Sequence, residues 1–198
     1  YIPTLCLFWT LGLSLQRIPP TDTQGMENQK KSDCQCPKID KDIIMGIDLL
    51  YDGKFDDAES LFRRVIAGSP DKPIGYFYQA MVTWSRMTTG FWSPSTVMEY
   101  KVRIDRAIEI AKSRIENHST DCYDFFYLGG ALGFKGRFEL METKWFSAFS
   151  LAVNAVKALK TCQKMAPENR DVLLGLGIFD YYTARLSGVL KFIYYLFI

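Results

Sequence analysis

From Asp40 onward the apolar residues recur at helical spacing, and the pattern then copies itself. Tyr76-Phe77-Tyr78-Gln79-Ala80 is matched about 48 residues later by Phe125-Phe126-Tyr127-Leu128-Gly129. Ala107 is matched by Ala155, and Ser119 falls where Pro167 falls. A further shift of the same length puts Leu128-Gly129 on Leu176-Gly177. A short helical unit cannot bury its own apolar stripe. Repeated units bury it by stacking on their neighbours. The expected fold is therefore all-α.

The first unit is shorter, about 34 residues, and spans 39–72. Leu49, Phe55, Ala58, Leu61, Phe62, Val65 and Ile66 form its apolar set. Asp56, Asp57 and Glu59 crowd the start of its second helix, with Arg63 and Arg64 further on, as the helix dipole favours. Gly53 ends the first helix, and Ser69-Pro70-Asp71-Lys72-Pro73 ends the second and opens the next. Three later first helices are predicted over 74–87, 123–135 and 171–184, with longer partner helices over 96–117 and 138–165. The extra length reads as an insertion of about fourteen residues beyond a 34-residue repeat. It contains Phe91-Trp92 and Trp145-Phe146, which are expected to pack over the solenoid or rim its groove.

Met45-Gly46, Gly53, Phe55, Ala58, Phe62 and Pro70 have the spacing of the tetratricopeptide repeat, and segment 39–72 resembles that family. Gly46 and Ala58 are small where two helices should cross, Gly53 permits the turn, and Phe62 should fill the groove toward the next unit. The resemblance extends, with more departures, to the end of the chain. It implies a TPR-like solenoid, an α-α superhelix of antiparallel helix pairs over 40–198. The tail around Leu174-Gly175-Leu176-Gly177-Ile178-Phe179-Asp180-Tyr181-Tyr182 is also similar to exported bacterial TPR-like proteins of unassigned role. More faintly, it is similar to the eukaryotic inclusion-body-clearance TPR-like family.

The chain begins with Tyr1 and stops on an apolar stretch, and it reads as a piece of a longer protein. Residues 1–15, rich in Leu with Phe8 and Trp9, suit a truncated signal peptide or signal anchor, being too few to span a bilayer comfortably. Residues 16–39 are polar with Pro and Gly breakers, as in a flexible linker. Export then follows as the expectation. The periplasm or outer membrane of a bacterium is favoured over the cytoplasm.

A formal net charge of +2 argues against a protein whose main work is electrostatic binding of nucleic acid. One histidine excludes a zinc site with two or more His ligands and leaves only His118 for any His-dependent triad. No metal and no cofactor is expected. Cys34-Gln35-Cys36 is a weak metal signal. Cys122 and Cys162 fall near facing ends of two antiparallel helices. Their readings are a disulfide or two small buried hydrophobes. The run Gly129-Gly130-Ala131-Leu132-Gly133-Phe134-Lys135-Gly136 follows a helical pattern, so close helix packing is the better reading than phosphate binding. Glu99, Asp105 and Glu109 sit among Lys101, Arg103 and Arg106, the pattern of a solvated face. Asp180 stands between apolar neighbours, where hydrogen bonding to a nearby Tyr is the plain reading. With no nucleophile–base pair to assemble, no enzyme is expected.

The first helices of TPR-like solenoids line a concave face. By position, the resemblance places Tyr51, Phe77, Met81, Trp84, Phe126, Phe134, Tyr181 and Tyr182 there, along with Ile43, Ile47, Gly130 and Ile178. The same residues can equally serve the core, since the two kinds of position alternate closely. The Lys/Asn set that clamps a terminal carboxylate in chaperone-binding TPR domains is absent. The expected function is a non-catalytic scaffold for protein–protein interaction in the cell envelope. Its partner would carry an apolar or helical segment. The alternative is a binding module for an apolar or lipid-linked ligand at the membrane surface, with peripheral membrane contact through the apolar C-terminal stretch.

Overall fold

The computed structural model describes residues 41–184. The expected signal segment and linker, Cys34, Cys36 and the apolar C-terminal stretch lie outside the described residues. Seven helices succeed one another: α1 (Lys41–Tyr51), α2 (Phe55–Gly68), α3 (Pro73–Thr88), α4 (Pro94–Glu116), α5 (Cys122–Met141), α6 (Trp145–Met165) and α7 (Asp171–Ala184). No strand occurs among the described residues.

Local chemistry sets the helix ends. Gly53 takes φ +75°, a left-handed turn that a side chain would strain, and so joins α1 to α2 through three residues. Pro73 and Pro94 open α3 and α4, where a missing N–H costs nothing. Ser93 and Thr96 form a reciprocal capping box on α4. The Asp121 carboxylate accepts from the Tyr123 N–H at 2.9 Å and caps α5.

The short connections make neighbouring helices antiparallel, and residue pairs along them agree. A Cβ added at Gly46, midway along α1, would stand 2.5 Å from the Phe62 ring of α2. On α5, Gly129 faces Leu159 and Gly136 faces Leu151 of α6, so the two helices run in opposite directions. Each helix packs on the next, and α3 also lies beside both α1 and α5.

The boundary between α5 and α6 differs from the predicted one. The sequence suggests a helix ending near Lys135 and a partner beginning near Phe138. In the structure α5 continues to Met141 and the break falls at Glu142-Thr143-Lys144, with Thr143 at φ +62°. Gly136, in the glycine run expected to serve close helix packing, is such a contact point: a Cβ there would be 3.3 Å from the Ala148 carbonyl and from Leu151. The extra length is thus shared by both members of the pair.

The core is aromatic. Phe62 is fully buried and stacks on Tyr78 of α3, with centroids 5.3 Å apart, so it joins the first helix pair to the next. Tyr100 lies between Trp84 (5.4 Å) and Phe138 (5.2 Å). α5 is the hub, and its glycines face different neighbours. Gly129 meets α6 at Leu159, Gly130 meets Phe77 of α3, and Gly133 meets Phe179 of α7. Without side chains there, three neighbouring elements approach one helix closely.

Candidate functional site

The expected groove residues divide sharply by burial. Phe77, Met81 and Trp84 belong to the core. They are closed off because α5 packs over α3: Phe134 sets its ring edge against Phe77 (6.1 Å) and Trp84 (5.6 Å), and Tyr127 lies 5.6 Å from Phe77. Phe126 and Phe134 are half-buried. Ile43 is buried and Ile47 half-buried. Tyr51, 70% exposed at the end of α1, and Ile178 and Tyr181 on α7 are open to solvent. The side chain of Tyr182 lies outside the description. The structure therefore brings Phe77, Trp84 and Phe134 together as core and leaves Tyr51 and Tyr181 as accessible aromatics.

Two ion-pair clusters join the helices. Glu59 is buried on α2 and meets Arg63 (2.7 Å), Arg86 (3.2 Å) and Arg103 (2.5 Å). Burial alone would raise its pKa, but Arg103 and Arg63 hold it below the usual carboxylate value. In the second cluster, Arg114 Nε donates to both carboxylate oxygens of buried Asp124, at 2.8 and 2.9 Å. Arg114 also pairs with Asp71, and Ser119 Oγ donates to Asp124. Burial lifts the Asp124 pKa, against the pull of Ser119 and Arg114.

Glu99, Asp105 and Glu109 are paired with Arg103, Lys135 and Arg106 respectively. Asp180 is exposed. His118 sits exposed in the α4–α5 turn at φ +60°. Cys122 is disulfide-bonded while Cys162 is a free buried thiol, so the two are not joined to each other. Burial pushes the Cys162 thiol up to about 11, which keeps it protonated and unreactive at neutral pH. Among the described residues no three metal-ligating side chains gather, and no helix is long and apolar enough to cross a membrane.

Two shallow hollows mark the surface. One of about 460 Å³ lies between the α1–α2 turn, Arg86 and Phe91. Another of about 680 Å³ lies against the α4–α5 turn, lined by Arg114, His118 and Ser119 among others. In each, a lining arginine is already committed: Arg86 to Asp56 and Arg114 to Asp124.

The larger exposed feature is aromatic. Phe91, Trp92, Trp145 and Phe146 stand out at the α3–α4 and α5–α6 turns. Trp92 stacks on Phe138 at 6.2 Å, whereas Phe146 is 94% exposed. The sequence marks these pairs as unusual, but the helix predicted over 138–165 would have held Trp145-Phe146 within it, whereas they stand at the start of α6. Comparison with protein-family models, curated proteins and solved structures gave no match to this chain.

Proposed function

We propose that this chain is a TPR-like solenoid of antiparallel helix pairs acting as a non-catalytic scaffold for protein–protein contact in the cell envelope. The observation that carries the reading is the alignment of the first helices. Gly130 of α5 admits Phe77 of α3 and Gly133 of α5 admits Phe179 of α7, so α5 touches both helices, as the first helices of successive repeats would. In a solenoid, stacking of this kind presents a continuous face. Of the aromatics that the resemblance assigns to such a face, Tyr51 on α1 and Tyr181 on α7 are exposed, as is Ile178 on α7. Such residues suit a partner with an apolar or helical segment, since buried aromatic anchors dominate interfaces of that kind.

The test is affinity capture from envelope extract with the full chain and with the Tyr51→Ser/Tyr181→Ser double variant. The expected result is a partner retained by the parent chain and lost from the variant, whose helical circular dichroism is unchanged. Capture of the same proteins by both would overturn the reading.

A further inference from the structure

Helix α6 differs from the other second helices in its charge. Its 21 residues include no acid, and its only charges are Lys157, Lys160 and Lys164. By contrast, α2 and α4 mix acids and bases and pair them within and between helices. All three α6 lysines are exposed, and none has an ion-pair partner among the described residues. At about 100° per residue, Phe146, Lys157 and Lys164 fall within about 20° of one line along the helix, with Ser150 and Lys160 about 40° to either side of it. That line is about 27 Å long; Phe146, Ser150, Lys157, Lys160 and Lys164 along it are exposed, while Val153, between the aromatic end and the lysines, is buried. At its start stand Phe146, 94% exposed, and Trp145, 65% exposed.

We propose that the outer face of α6 docks on the surface of an anionic lipid bilayer, with Phe146 and Trp145 entering the headgroup layer and the three lysines meeting anionic headgroups. This goes beyond the scaffold reading and uses a different face of the protein. Charge chooses the occupant. Unpaired lysines are depleted from protein–protein interfaces, where ordering a long stem costs entropy. A plane of mobile anionic headgroups accepts such lysines without ordering them into one geometry. Exposed Trp and Phe beside a lysine stripe on an acid-free helix is the composition of a membrane-surface element. The acids nearest the start of the helix do not oppose this, because Glu139 and Glu142 are already paired with Lys144, and Glu142 also with Lys101. Glu168 lies beyond the helix's last residue.

The experiment is co-sedimentation of the full chain with vesicles of phosphatidylcholine alone, or containing about one-third phosphatidylglycerol, at low and high salt. The expected result is salt-sensitive binding that favours the anionic vesicles. Lys157→Glu/Lys160→Glu/Lys164→Glu should weaken it by at least about a hundredfold. Phe146→Ser should weaken it about tenfold or more. Should the charge reversal disturb folding, Lys157→Gln/Lys160→Gln/Lys164→Gln serves in its place, with helical circular dichroism as the control for each variant. Equal binding to both vesicle types, a folded lysine variant that binds like the parent chain, or binding to soluble polyglutamate as tight as to vesicles would each overturn the proposal.

Discussion

Glu59 and Arg103 lie 44 residues apart in the chain and 2.5 Å apart in space. Their pairing ties α2 to α4 across α3, whose Arg86 meets the second oxygen of the same carboxylate. Arg103 also donates to Thr83 Oγ1 at 2.9 Å, so the guanidinium is held from two sides. A buried carboxylate with three arginines is costly to break, because removing it leaves cationic groups without their partner.

Glu59→Gln is therefore expected to destabilise the chain by about 3 kcal/mol at neutral pH, read by urea denaturation. Because Glu59 has a pKa below its unfolded value, its ionised form adds stability above that unfolded value. That stability is lost as pH falls from the unfolded pKa through the lower folded one. The variant should therefore lose less stability than the parent chain on acidification below about pH 4.5. Parallel acid profiles would show that the pair carries no such linkage.

Phe62 has no exposed surface, meeting Gly46 on one side and Tyr78 on the other. Phe62→Ala should cost about 3–5 kcal/mol, through lost burial and the cavity left behind. A change near zero in the denaturation midpoint would contradict both the packing and the alignment of 39–72 with a helix-pair repeat.

Gly129 tests close approach rather than a cavity. An added Cβ would fall 2.7 Å from Leu159 Cγ and 3.1 Å from the Ala155 carbonyl oxygen. Gly129→Ala should gain helix propensity of about 1 kcal/mol yet still destabilise by about 1–3 kcal/mol net, because α6 must move away. A more stable variant in thermal denaturation would mean that the helices are not in such contact.

Tyr100 makes the opposite expectation. Its hydroxyl is buried without a hydrogen-bond partner, and burial pushes its pKa far up, so it stays neutral. Tyr100→Phe should be neutral or stabilising by up to about 1 kcal/mol, since it removes a polar group that water no longer serves. Destabilisation of more than about 1 kcal/mol would point to a partner for that oxygen.

The helices and most of their ends were legible in the residues because these depend on local chemistry. Apolar spacing, prolines at first positions and Gly53 act over a few bonds, and α7 begins where its pattern predicts. The α5–α6 boundary was misplaced, although the glycine run through Gly136 reads as a close-packing surface, because apolar spacing alone does not mark where one helix stops and its partner starts. The break at Glu142-Thr143-Lys144 shows only in the folded chain, where Gly136, inside α5, packs on Ala148 and Leu151. The groove residues failed to separate for a similar reason. Phe77, Trp84 and Tyr51 are all apolar in sequence, but α5 covers the first two and nothing covers the third to the same degree. The repeat pattern of the chain thus specified helices and their order through short-range forces. Burial is a sum over neighbours distant in sequence, so the assignment of each aromatic to core or surface waited for the packed structure, as did the Glu59–Arg103 pair and the solvent-facing lysine stripe of α6.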